Sequence, residues 1–177
     1  MIDRRTDAES FETLAMPMLA SLYNFAHWLT HNREEAEDLV QETYLKALKG
    51  FTSFEPGTNF RAWMYRILRN TFLTSRSGLN VRMTVPLDRE EDAIGRPADT
   101  PEAVLLSRAD QQMVRSALER LPVQFREAIV LCDVEEMSYQ EIAEIVGIPI
   151  GTVMSRLSRA RQLMRELLVE KMRGASK

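Results

Sequence analysis

The chain has 177 residues, 45% of them hydrophobic, which suits one ordinary domain or two small ones with packed cores and excludes global disorder. Its formal net charge is −3, with 26 acidic side chains against 23 basic ones, so overall charge alone does not hold it to nucleic acid. The single cysteine, Cys132, excludes an intramolecular disulfide. No apolar stretch approaches the roughly 20 residues of a membrane span, and no secretory apolar region follows Met1–Arg5, so a cytoplasmic address is expected.

The charge is unevenly placed. Residues 51–77 carry a net +3 and residues 150–177 a net +5, while the segments before, between and just ahead of them are acidic. Two basic islands in an acidic chain suit a protein that meets DNA as part of a larger assembly.

Taken in chain order, the pattern is helical throughout. Phe11, Leu14, Met18, Leu22, Phe25 and Leu29 recur at steps of three and four. A second helix is expected after Asn32, a capping residue followed by Glu34, Glu35 and Glu37, whose carboxylates suit a helix amino terminus. Its apolar row is Ala36, Leu39, Val40, Tyr44, Ala47 and Leu48, and Gly50 suits its end. His27 and His31 stand four apart, as in some helical metal pairs. No further ligands accompany them, and neither a metal site nor a cofactor is expected.

Residues 51–59 read as a loop dense in turn formers, Glu55-Pro56-Gly57-Thr58-Asn59. A third helix is expected from about Phe60 to Arg76. Its run Phe60-Arg61-Ala62-Trp63-Met64-Tyr65-Arg66-Ile67-Leu68-Arg69-Asn70 interleaves aromatics with arginines, a surface able to hold a nucleic-acid backbone and stack unpaired bases. With Phe54 and Asn59 before it, the segment suits a pocket for a base drawn out of the stack. Trp63 fits a core position equally well, and Phe72 fits one better.

Gly78 to about Thr100, with two prolines, two glycines and the charged run Asp88–Asp92, reads as a linker. The expected organisation is therefore all-α: a helical domain over 1–77, a linker over 78–100 and a second helical domain over 101–177. Helix resumes near Pro101. Leu118, Leu121, Phe125, Ile129 and Leu131 continue the apolar pattern, with Pro122 separating two helices and Cys132 expected to be a buried structural thiol. Ser138-Tyr139-Gln140-Glu141 is a capping box that opens a short helix, Tyr139–Val146. Gly147 allows a turn, and Pro149 restarts a longer helix. This is the pattern of a helix-turn-helix. At about 100° per residue, Val153, Leu157, Ala160 and Met164 fall inward, while Gly151, Ser155, Ser158 and Gln162 fall outward with Met154 and Arg159 beside them. Small polar residues flanked by arginines suit entry to a major groove, where arginine grips phosphate or reads guanine.

Three segments in this order carry a resemblance. Glu35–Ala47, Phe60–Asn70 and Leu118–Leu168 together resemble the extracytoplasmic-function (ECF) subfamily of the bacterial sigma-70 family of RNA polymerase sigma factors. The resemblance implies a factor that binds core RNA polymerase and directs initiation at promoters with minus-thirty-five and minus-ten elements, without enzymatic activity. It implies that Asp38, Gln41 and Glu42 meet the clamp of the largest polymerase subunit. It places Phe54, Asn59, Phe60 and Asn70 around a flipped minus-ten base, supported by Trp63 and Arg66. Tyr139, Thr152, Met154, Ser155, Arg156, Ser158, Arg159 and Arg161 would meet the minus-thirty-five element. It also implies an anti-sigma factor, of the zinc-containing type by the likeness of Thr58–Asn70 and Ile148–Arg156. Many members carry Asp where this chain has Thr74, and Arg or Lys where it has Met154. A free-standing helix-turn-helix regulator of duplex operators accounts for the carboxy-terminal half equally well, but leaves Asp38–Glu42 and the aromatic–arginine helix unexplained.

Overall fold

The computed structural model describes the backbone of residues 4–78 and 101–174. Among the described residues there is no strand, and no helix is long and apolar enough to cross a membrane. The segment read as a linker lies outside the described residues except for Gly78.

The amino-terminal domain consists of α1 (Arg4–Ala15), a 3-10 turn (Met16–Met18), α2 (Leu19–Thr30), α3 (Arg33–Gly50) and α4 (Phe60–Gly78). The expected apolar row from Phe11 to Leu29 is broken at Pro17, which lacks an N–H and cannot continue the ladder. Leu14, at the end of α1, is 45% exposed, while Phe11, Leu22, Phe25 and Leu29 stay in the core. The turn from α2 to α3 is made by His31 in the left-handed region (φ 55°), and Asn32 then caps α3 by accepting from the Glu35 N–H at 3.0 Å. Helix α3 buries Ala36, Leu39, Val40 and Ala47 as expected, together with Thr43. The Thr43 hydroxyl survives burial because it donates to the Leu39 carbonyl at 2.7 Å. Tyr44 sends its hydroxyl to the Ala15 carbonyl at 2.6 Å, tying α3 to the end of α1.

The carboxy-terminal domain consists of α5 (Pro101–Arg120), α6 (Val123–Ile129), a π-helical turn (Val130–Val134), α7 (Tyr139–Val146) and α8 (Ile150–Gly174). The capping box of α7 is present in both directions, and Gly147 ends the helix at φ 72°. Helix α8 buries Val153, Leu157 and Ala160, with Met164 half-buried. The π-helical turn had no sequence signal. It widens the ladder so that the Glu135 N–H donates to the Val130 carbonyl at 2.9 Å, and Glu136 then turns the chain with φ 54°. The same widening carries Cys132 to the edge of the core, so the thiol expected to be buried is half-buried instead, with the Arg161 Nη2 at 3.6 Å.

The two domains pack on each other. Ala128, Val130, Leu131, Met137, Ile142, Ile145, Val146, Val153 and Leu157 join the same apolar cluster as Phe25, Met64, Tyr65 and Leu68. Arg126 anchors one end of this seam. Its buried guanidinium donates to the carbonyls of Leu118 (3.1 Å) and Leu121 (2.9 Å) at the end of α5, and to the Trp28 carbonyl (2.9 Å) near the end of α2. One cation thus satisfies orphan carbonyls at the negative ends of two helices in different domains. It also meets the ring of His31.

Loss of solvent around the His31 ring, and then the Arg126 charge, hold its pKa down to about 4 from 6.5. The unfolded chain binds a proton at this ring near pH 6.5 and the folded chain resists to about 4, so stability falls as pH drops through that window. His31→Gln should therefore lose less stability than the parent protein between about pH 7 and about pH 5, measured by urea denaturation.

Candidate nucleic-acid and polymerase interfaces

Three exposed surfaces emerge from this packing. The first is on α3. Asp38, Gln41 and Glu42 lie at helical spacing on the side away from Leu39 and Val40, and all three are exposed. Glu42 holds Lys46 at 2.6 Å across one turn. The stripe runs on into Leu45 and Leu48, 58% and 46% exposed. Leu48, read from sequence as part of the inward row, belongs to this outer face. Leu45 was not singled out at all, though its position three residues after Glu42 carries the signal.

The second surface is aromatic. Phe54 lies 5.2 Å from Trp63 and 5.3 Å from Phe60, ring centre to ring centre, and Phe60 lies 5.6 Å from Trp63. Phe51 stacks on Phe54 at 6.0 Å with the planes 7° apart, and Phe11 meets Phe51 edge-on at 5.4 Å. Phe54, Phe60 and Trp63, expected from sequence to act together, are thus brought together. Each is half-buried, which reconciles the core and surface readings of Trp63. Phe51, one turn before Phe54, had not been read as part of this surface, while Phe11, read as core and 6% exposed, backs it from a distant part of the chain. Phe72, by contrast, is core at 5% exposure. Arg66 and Asn70 are exposed on the same side of α4 as Trp63. Thr74 turns its hydroxyl back to the Asn70 carbonyl at 2.8 Å, so its side chain is occupied by its own helix.

Asn59 has two partners. Its Oδ1 accepts from the Ala62 N–H at 3.0 Å, capping α4, and its Nδ2 donates to Glu141 Oε1 at 2.6 Å across the seam. Glu141 is itself half of the α7 capping box, and the bonds from the Ser138 backbone and hydroxyl hold its carboxyl below the usual range. Two helix caps are joined by one hydrogen bond.

The third surface is the first half of α8, where the arginines are not equivalent. Arg159 is exposed, whereas Arg156 is half-buried and close enough to Glu127 to act on its carboxyl. Arg161 donates to Asp133 at 2.7 Å, and its bonds to Asp133 and to the Tyr139 hydroxyl raise its pKa. Met154 is 54% exposed beside Ser155 and Ser158, and Tyr139 and Thr152 stand at the starts of α7 and α8. The Ser155 hydroxyl donates to the Thr152 carbonyl at 3.0 Å.

This order of parts has counterparts. Residues 14–79 match the family model for sigma-70 region 2, and residues 111–164 match that for sigma-70 region 4. The ECF RNA polymerase sigma factor EcfG of Rhodopseudomonas palustris is 41% identical over 84% of this chain and 79% of its own length. The chain belongs to the ECF subfamily of the sigma-70 family. This ECF sigma factor is also 36% identical to SigE of Mycolicibacterium smegmatis over 91% of its length, though it spans only 62% of that relative. Among solved structures, the sigma factor RpoE from Bartonella quintana, in complex with the anti-sigma factor NepR, superposes with a TM-score of 0.74 at 34% identity, covering 90% of this chain and 97% of that one.

The cap that opens the helix-turn-helix is a local device with a measurable contribution. Ser138→Ala removes the acceptor for the Glu141 N–H and the hydroxyl that holds the Glu141 carboxylate, and should lower unfolding stability by about 1 kcal/mol in urea titrations.

Proposed function

We propose that this ECF sigma factor binds core RNA polymerase and directs it to promoters, under the control of an anti-sigma factor, and that it works by recognition without covalent chemistry, in the cytoplasm. The observation that carries this reading is the coexistence, in one chain, of an exposed acidic–leucine stripe, an open aromatic cluster and a capped helix-turn-helix. A duplex-binding regulator needs only the last of these.

In this reading Asp38, Gln41 and Glu42 meet the polymerase clamp, and Leu45 adds apolar contact area one turn further on. Phe54, Phe60 and Trp63 receive an unstacked base, while Arg66 and Asn70 lie along the strand that carries it. Base–aromatic stacking contributes about 1–3 kcal/mol per base, enough to offset the few kcal/mol that unstacking costs. At the upstream element, Arg159 is the exposed cation beside Met154, Ser155 and Ser158, which suits base-edge contact. Tyr139 and Thr152 suit phosphate contact near helix amino termini. Arg156 and Arg161 are partly engaged within the protein and suit backbone positioning. Residues 1–77 act as the polymerase-binding and minus-ten domain, 78–100 as the linker and 101–177 as the minus-thirty-five domain. Polymerase, by holding both domains on one DNA molecule, raises the effective concentration of each for its element.

Run-off transcription tests the whole proposal. Core polymerase from the source bacterium, given this chain and a pool of genomic promoters, should produce discrete new starts. A folded chain that yields none overturns the proposal and favours the operator-binding regulator. Asp38→Ala combined with Gln41→Ala should abolish most of that stimulation and weaken core binding while leaving helicity unchanged by circular dichroism. Arg159→Ala should weaken binding of the holoenzyme to its own upstream element by about 1–3 kcal/mol and relax preference at one base pair. A uniform loss on all sequences would make it a phosphate contact instead.

A further inference from the structure

Met154 stands apart on the first half of α8. The inward residues Val153, Leu157 and Ala160 are buried, whereas Met154 is 54% exposed. At about 100° per residue, Gly151, Ser155 and Ser158 line the outward side next to it. All three are small, and a Cβ added at Gly151 would meet no atom within 4 Å. The methionine therefore rises beside a low floor, with a side chain long enough to reach past it. Ile150, one turn earlier, is also exposed and extends the apolar edge to the start of the helix.

The polar groups around this edge are turned elsewhere. The Ser155 hydroxyl donates back to the Thr152 carbonyl at 3.0 Å. Arg161 lies on the same side of α8 as Met154, but seven residues, about 10 Å, further along, where Asp133 and the Tyr139 hydroxyl take its bonds. Arg156 is half-buried on the far side, toward Glu127. Arg159 is exposed, yet five residues turn it about 140° from Met154, to the opposite margin of the small-residue floor. A helix lying in a major groove by this face would thus present an apolar tip at one margin and a cation at the other.

The chemistry of the groove selects what such a tip can meet. Guanine presents two acceptors there, cytosine a donor, and adenine one of each. A thioether donates nothing and accepts weakly, so a methionine pressed on those edges displaces water and returns no hydrogen bond. Thymine adds an apolar group, its C5 methyl, to the same edge. Methionine is unbranched and polarizable and adapts its shape to such a group. An exposed methionine on a surface helix is ordinary by itself. Met154 differs in its place, at the entering end of the second helix of a helix-turn-helix, beside small residues and away from the free arginine.

We propose that Met154 is a specificity-determining residue for the upstream element and reads an A·T pair through the C5 methyl of its thymine. The proposal deepens the promoter reading above and rests on it. Arg159 meets a different part of the element, so the apolar and cationic contacts act at separate positions. An arginine in place of Met154 would reach guanine O6 and N7 instead, and the preferred pair at that position would change with it.

The test uses holoenzyme assembled from core polymerase and the full chain, with a promoter library randomised over the upstream element. The selected element should contain a thymine whose replacement by deoxyuridine weakens binding about fourfold, the loss expected for one buried methyl group. Deoxyuridine keeps the base pairing and lacks only the methyl. This measurement uses the parent protein, so it does not depend on any variant folding. Holoenzyme carrying Met154→Ala should bind the thymine and deoxyuridine forms equally, and selection with Met154→Arg should move the preferred pair at that position to G·C. A parent holoenzyme indifferent to deoxyuridine at every thymine of its element, or a Met154→Ala holoenzyme that keeps the parent's discrimination, overturns the proposal and leaves the promoter reading standing. If the parent selects no upstream sequence at all, the promoter reading falls and the methyl contact falls with it.

Discussion

Helix α4 has three sides to satisfy, and its 19 residues divide among them by angle. Met64 and Leu68 go to the shared core, Arg61, Tyr65 and Arg69 to the carboxy-terminal domain, and Trp63, Arg66 and Asn70 to the outside. An α-helix offers these faces because successive residues turn by about 100°. Much of the remaining structure follows from this division. The aromatic cluster forms where the loop before α4 folds back on its first turn. The helix-turn-helix rests on the second side. Helices α2 and α3 are packed to support the first.

The seam between the domains is polar where it is most specific. Burial pushes the Glu127 carboxyl above its ordinary value, and the bonds and charge of Arg69 with the nearby Arg156 offset only part of that. Burial likewise lowers the pKa of Arg126 while raising that of Tyr65, where the bond to Glu135 adds to the effect. Such groups add little net stability when paired and cost several kcal/mol when one partner is lost. They therefore define how the two domains align more than they deepen their packing. The apolar members of the seam, Ile142, Ile145 and Val146 among them, supply the attraction, and the ionic members supply the register.

The same distinction separates side chains that are available to partners from those already engaged. Arg159, Arg66, Asp38 and Gln41 are open to solvent, whereas Arg61, Arg69, Arg126 and Arg161 are held by carboxylates or carbonyls of the protein, and exposed Glu42 is paired with Lys46. A count of basic residues by segment finds both classes and does not separate them. Asn59 stands between the two, because its capping bond lies within α4 while its second bond crosses to Glu141 of the other domain.

The sequence by itself determined what local chemistry decides. The helices, the Asn32 and Ser138 caps, the Gly147 turn and the inward row of α8 were legible because each depends on residues within a turn or two of one another. The membership of Phe54, Phe60 and Trp63 in one surface was legible for the same reason. Where a purely periodic reading failed, a nearby device had overruled it: Pro17 split the first apolar row, and the π-helical turn moved Cys132 off the core. The docking of the domains was not legible. The Glu141 cap was legible but its bond to Asn59, 82 residues away, was not, and Glu127 and Glu135 lie in an acidic stretch whose local pattern reads as solvated surface, with partners 58 and 74 residues away. Only the tertiary structure decided that these carboxylates are buried or bound, because removing a charge from water is tolerated only where a partner has been brought to meet it, and that meeting is a property of the folded chain.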